Sequence, residues 1–235
     1  MGARTGLVDG ERPGVRTFTP RWRTSRLTAE RMARLLPPRD VGFGPLRLAE
    51  RAGRVAPLVV EIGSGHGAAA LAYAVQHPEH EVVAVEVHVP GVARMLAAAQ
   101  ALGADAVPNL WVHRGDALPW LTASVPPESV AAMHLFFPDP WPKAKHAKRR
   151  FVQQHTLDLI AARLEPGGVL RIATDIEACA EHVREHLARH GRWEVREGER
   201  PLWRPTDGFE AKGLAAGRTA YEFTAVRGRG EGSSR

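Results

Sequence analysis

The chain is poor in cysteine and in aromatic residues: among 235 residues it has one cysteine, Cys179, and aromatic side chains make up only 6%. A lone cysteine excludes an intramolecular disulfide and any metal site built on several thiolates. No apolar run approaches the roughly 20 residues a membrane helix needs. The N-terminal stretch also lacks the apolar segment of a secretory signal, so the cytoplasm is the expected location. Acidic residues are in the minority, 26 Asp and Glu against 32 Lys and Arg, for a formal charge of +6. Such a surplus favours a polyanionic partner such as nucleic acid. Enrichment in Arg, Ala, Gly and Pro offers a blander source for the same charge.

Hydrophobic content of 44% and charged content of 25% are those of a soluble globular chain. From residue 1 to 28 the sequence is Gly, Arg, Thr and Pro without apolar periodicity, which predicts a flexible basic arm. Residues 29–226 read as one domain and 227–235 as a frayed tail. Within the domain, short apolar runs alternate with helical patterns, as in a parallel sheet covered on both faces. The predicted strands are Pro57–Ile62, Glu81–Val87, Leu110–His113, Val130–Phe137 and Val169–Ala173, with Trp193–Val195 and Ala220–Val226 as two more. Predicted helices cover Ala68–Gln76, Gly91–Leu102, part of Lys148–Leu164 and Ile176–Arg189, with Pro166-Gly167-Gly168 read as a helix stop.

Five segments carry chemistry. The strand Val59 to Ile62 runs into Gly63-Ser64-Gly65-His66-Gly67 and then a helix. Glycines at such a turn let a ligand approach the backbone, and the helix start offers free N–H groups. Glu86 follows the second strand, 19 residues after Gly67, where a carboxylate can accept from both hydroxyls of a ribose. A dehydrogenase would use the same device. Asp116 follows the third strand, in Val112-His113-Arg114-Gly115-Asp116-Ala117, where a loop aspartate can cap the segment at Ala117. The fourth strand ends in Phe136-Phe137-Pro138-Asp139-Pro140-Trp141-Pro142-Lys143, and five basic residues lie within the eight from Lys143 to Arg150. Two prolines hold Asp139 in a rigid turn, which suits a carboxylate that must meet one edge of a substrate without reorganising. The lysines and arginines can neutralise phosphates, and Trp141 offers a face for stacking. Asp175, after the fifth strand, is either a substrate contact or an N-cap.

Taken together, Glu61 to Gly67, Ala84 to His88, Leu135 to Lys143 with Lys148-Arg149-Arg150, Ala173-Thr174-Asp175, Val15 to Phe18 and Phe209-Glu210 resemble the bacterial tRNA (guanine-N7)-methyltransferases. The resemblance implies a Rossmann-like class I methyltransferase fold, α/β, with a mostly parallel seven-stranded sheet and helices on both faces. It implies S-adenosylmethionine as cofactor, bound by Glu61, Gly63, Gly65, Gly67, Glu86, Asp116 and Asp139, and Asp139 as the catalytic residue. It implies tRNA as partner, met by Lys143, Asp175 and the segment Asp207, Gly208, Phe209 and Glu210. The product would be 7-methylguanosine in the variable loop, position 46 by family convention. The family has threonine where this chain has Asp207, and Thr206 stands one place earlier; Asp207 can accept a hydrogen bond in its stead. Guanine N7 carries a lone pair and no proton, so neither a general base, a metal nor a covalent intermediate is required. A methyltransferase with another substrate, a non-catalytic RNA-binding module and a dehydrogenase are the competing readings. The last leaves Asp116 and the Pro138 to Lys143 turn unexplained.

Overall fold

The computed structural model describes residues 24–103, 106–206 and 208–228. Most of the predicted arm and tail, and Asp207, therefore lie outside the described residues, as does the side chain of Phe209. Seven strands form one sheet in the order β3-β2-β1-β4-β5-β7-β6. They are β1 (Leu58–Ile62), β2 (Glu81–Val85), β3 (Leu110–His113), β4 (Val130–Phe136), β5 (Leu164–Thr174), β6 (Trp193–Gly198) and β7 (Tyr221–Arg227). The first five run parallel, and β7 inserts antiparallel between β5 and β6. This is the Rossmann-like sheet implied by the resemblance.

Alternation along each strand sends side chains to two separate cores. Val60, Ile62, Val83, Val85 and Met133 pack with Trp120, Leu157, Ile160 and Val183 from α5 (Ala117–Ser124), α6 (Gln154–Arg163) and α7 (Glu177–His190). Val59, Val82, Ala84, Leu110 and Val112 pack on the other face with Ala70, Tyr73, Val92, Met95 and Leu96, from α3 (Ala68–Gln76) and α4 (Val89–Leu102). Burial on both faces is why β1, β2 and β3 are near-continuous apolar runs, whereas the exposed β6 alternates polar and apolar residues.

Several features depart from the sequence reading, which does not include the helix Ala117–Ser124 and runs the second strand to Val87 rather than Val85. Helix α1 (Arg26–Leu35) starts inside the predicted arm, with Ser25 accepting from the Thr28 N–H at 3.2 Å, and Arg34 reaches Gln100 of α4 at 3.0 Å. The segment from Lys148 divides into a 3-10 helix, Ala144–Arg149, and then α6. Pro166-Gly167-Gly168 lies within β5 rather than in a loop: Leu164 already pairs with Val130, across a register shift. A Cβ at Gly168 would lie 2.9–3.2 Å from the carbonyl oxygens of Glu165, Val130 and Ala131, so glycine serves a close backbone approach rather than a stop. Helices α2 (Leu48–Ala52) and α8 (Gly208–Ala215) complete the elements.

Candidate active site

In a parallel sheet the loops after the strands collect at one edge, and a ligand cleft opens where the strand order reverses. Here that point lies between β1 and β4. The Gly63 to Gly67 turn follows β1 and the Asp139 loop follows β4, so the two face each other across it. Glu86, Asp116 and Asp175 follow β2, β3 and β5 along the same edge.

Gly63, Gly65 and Gly67 all take positive φ, at 72°, 56° and 79°. A Cβ on Gly63 or Gly65 would meet no atom within 4 Å, whereas on Gly67 it would lie 2.2 Å from Met95 Cγ. The first two therefore line open space and the third is packed against α4. Glu86 ties the turn down: one carboxylate oxygen accepts from the Gly65 N–H and the other from the His88 N–H, each at 2.7 Å. An ionised carboxylate has about four acceptor sites, so a ribose hydroxyl can still be received. Asp116 is the N-cap of α5, accepting from the Leu118 N–H at 3.0 Å, at the same edge as Glu86. Open space over two glycines, flanked by these two acids, fits the nucleoside half of S-adenosylmethionine.

Glu61 is buried at 3% exposure. Its strand register sets it beside His134 of β4, with 3.9 Å between Glu61 Oε2 and His134 Nδ1. Burial, then the nearby Arg171, drives the His134 imidazole down to about 3, so it is neutral and the contact is not an ion pair. His134 stacks on Phe136 and Trp203, with centroids 5.2 and 5.0 Å apart.

Asp139 is exposed, in a loop whose backbone is strained on both sides: Phe137 and Trp141 have φ of 48° and 40°, which side chains bearing a Cβ rarely adopt. The surroundings hold it there. Arg150 is buried, and its guanidinium donates to the carbonyls of Pro140, Trp141, Pro142 and Ala178 at 2.9–3.5 Å. The Cys179 thiol donates to the Pro140 carbonyl at 2.8 Å, and burial raises its pKa, which keeps the donor proton in place. Arg149 lies over the Trp141 ring at 4.8 Å. Of the five basic residues, Lys143, Lys145 and Lys148 are exposed and available for phosphates. Arg150 is instead the loop's internal clamp. A charge run does not reveal which member turns inward.

Asp175 is not the cap of α7, which is Ile176. It pairs with Arg218 at 2.8 Å and packs so closely on α8 that a Cβ at Gly213 would lie 2.4 Å from its Oδ2. Gly208 is exposed at the start of α8. Glu210 is buried and pairs with Arg204 at 3.0 Å. Arg204, itself buried, also binds Glu222 and lies 4.8 and 5.3 Å from the Phe136 and Phe137 rings. It thereby connects α8 to the strained loop, a role with no signal in the sequence.

Residues 55–223 match the family model described as "Putative methyltransferase". A tRNA (guanine-N(7)-)-methyltransferase from Mycobacterium avium is 45% identical over 74% of this chain and 68% of its own length. One from Nitrosomonas eutropha is 40% identical over 80% and 85% respectively. Among solved structures, the 16S rRNA methyltransferase KamB superposes with a TM-score of 0.56 over 79% of this chain and 94% of its own, at 16% identity, a likeness of fold. On a family model that matches residues 55–223, and on relatives 40–45% identical over about three quarters of the chain, the protein belongs to the tRNA (guanine-N7)-methyltransferase family.

Proposed function

We propose that the chain transfers a methyl group from S-adenosylmethionine to N7 of a guanosine in the tRNA variable loop, position 46 by family convention. One domain, read from the sequence as 29–226 and extended by α1 and β7 to 26–227, would do this in the cytoplasm. The observation that carries the reading is the opposition of the Gly63 to Gly67 turn and the rigid Asp139 loop across the reversal in strand order. When bound, S-adenosylmethionine supplies an electrophilic methyl group on a sulfonium. The glycines, Glu61, Glu86 and Asp116 orient it. Asp139 accepts from N–H groups on the Watson–Crick edge of guanine and so aims N7 at the cleft. Positive charge moves onto the base as it is methylated, and the nearby carboxylate is complementary to it. A clamp that fixes the loop in advance avoids reorganisation at the moment of reaction.

Lys143 and its exposed neighbours hold the phosphates that flank the base. Asp175, the backbone at Gly208 and Phe209, and Asp207 in the family threonine's place form the substrate side. Glu210 supports them from within, through Arg204. A base stacked in folded tRNA must turn out to reach this cleft. The test is methyl transfer from labelled S-adenosylmethionine to unmodified tRNA transcripts with and without the variable-loop guanosine. The expected result is 7-methylguanosine that depends on that base; label on another base would keep the enzyme and move its target.

A further inference from the structure

At the opposite edge of the sheet from the cleft, where α3 passes into β2, the chain reads His77-Pro78-Glu79-His80. One ligand atom from each of His77, Glu79 and His80 lies within 4.8 Å of the others. We propose that this turn binds one divalent transition-metal ion, with Zn2+ the best match, through His77, Glu79 and His80.

The spacing already approaches what a tetrahedral ion needs. Zn–N and Zn–O bonds of about 2.0–2.1 Å at tetrahedral angles place neighbouring ligand atoms roughly 3.3 Å apart. Here His77 Nδ1 lies 3.1 Å and His80 Nε2 3.8 Å from Glu79 Oε1. Two imidazoles and a carboxylate, with water completing the shell, are a donor set for a borderline-soft ion rather than for calcium or magnesium.

The turn is also braced from outside, as metal ligands are. The Tyr73 hydroxyl lies 2.9 Å from His80 Nδ1; with Nδ1–H donating to it, the lone pair is left on Nε2, the atom nearer Glu79. Asn109, 2% exposed, directs its amide nitrogen at the carbonyls of Ala74, His77 and His80, at 3.0–3.1 Å. Arg54 donates to the carbonyls of Pro78 and His80 at 2.7 and 3.2 Å. The backbone that carries the ligands is thus fixed without an ion, and little ordering cost remains for binding. The ion would pin the end of α3, the helix that starts at the Gly67 turn, to the start of β2.

The experiment is titration of tag-free, full-length protein with Co2+ by visible absorbance, followed by displacement with Zn2+. One equivalent should saturate with a four-coordinate spectrum, and Zn2+ should displace it. His77→Ala and His80→Ala should each weaken binding more than tenfold, and Tyr73→Phe about tenfold by freeing the His80 ring. His186→Ala, on α7, should leave binding unchanged. Glu79→Gln, at an exposed position, keeps the fold testable if a histidine variant misfolds; Zn2+ should raise the Tm of the parent and not of this variant. Absence of a saturable site, or equal binding by the parent and the His77 and His80 variants, overturns the proposal.

Discussion

Asp139 is exposed, and among the described residues its carboxylate accepts no hydrogen bond and forms no ion pair, so it is open to a substrate rather than spent on the fold. Asp139→Asn keeps size and loop geometry but removes the complement to a cationic base. It should lower kcat by about 100-fold or more while leaving cofactor affinity within a few-fold, a loss of the size seen when one preorganised electrostatic group is deleted. Equilibrium dialysis with labelled S-adenosylmethionine beside single-turnover rates separates the two; a variant that loses cofactor binding and keeps its rate would leave Asp139 only the cofactor role that the resemblance also implies. The glycines separate in the same manner. Gly67→Ala forces a Cβ to 2.2 Å from Met95 Cγ at a φ of +79°, which should cost roughly 2–4 kcal/mol of stability from overpacking and left-handed strain together. At Gly63 the added methyl meets open space, so only about 1–2 kcal/mol of strain applies and the larger effect should fall on cofactor affinity. Urea denaturation and dialysis on both variants test this contrast, and a reversed order would refute it.

Helix and strand patterns were legible where burial writes a period into the chain: β3 was read to its ends, and β1, β4, β6 and β7 within a few residues. Other elements escaped because tertiary contacts decide them. Glycine and proline at 166–168 signal a stop in an isolated chain, yet the backbone of β4 sits against them and makes them part of β5. Among the site residues, Asp139, Glu86 and the three glycines stood out because their chemistry depends on local sequence. Arg150 and Arg204 did not, since their partners lie on other elements. The unit joining α8, β7 and the strained loop makes a prediction of its own. Arg204 faces two buried carboxylates, Glu210 and Glu222. Burial raises Glu222 to about 7, against the pull of Arg204 and with help from Glu210. An acid whose folded value exceeds its ordinary 4.5 binds its proton more tightly when folded. Its stabilising contribution is therefore full below pH 4.5 and is lost as pH rises through 7. Between pH 5 and 8, stability of the parent relative to Glu222→Gln should fall with rising pH; a pH-independent difference would mean that Glu222 stays ionised throughout.

For the molecule as a whole, the surplus of +6 matters through where it is exposed. Lys143, Lys145 and Lys148 stand on the rim next to Asp139, while Arg150 is consumed inside the loop. Each phosphate neutralised by an exposed lysine releases counterions, so the logarithm of tRNA affinity falls with the logarithm of salt, and each lost contact reduces that slope by roughly 0.7–0.9. Replacing Lys143, Lys145 and Lys148 together by alanine should flatten the slope by about 2–3 if all three meet phosphates. It should weaken binding similarly for transcripts with and without the variable-loop guanosine, because phosphate contacts position the nucleic acid without reading its bases. Asp139→Asn should do the reverse, leaving the slope unchanged and removing discrimination between the two transcripts. Filter binding over a range of KCl concentrations measures all of these quantities. If the lysine variant keeps the parent slope, the tRNA backbone must cross a different face, and the basic run after Pro142 would be a solvated surface rather than part of the substrate site.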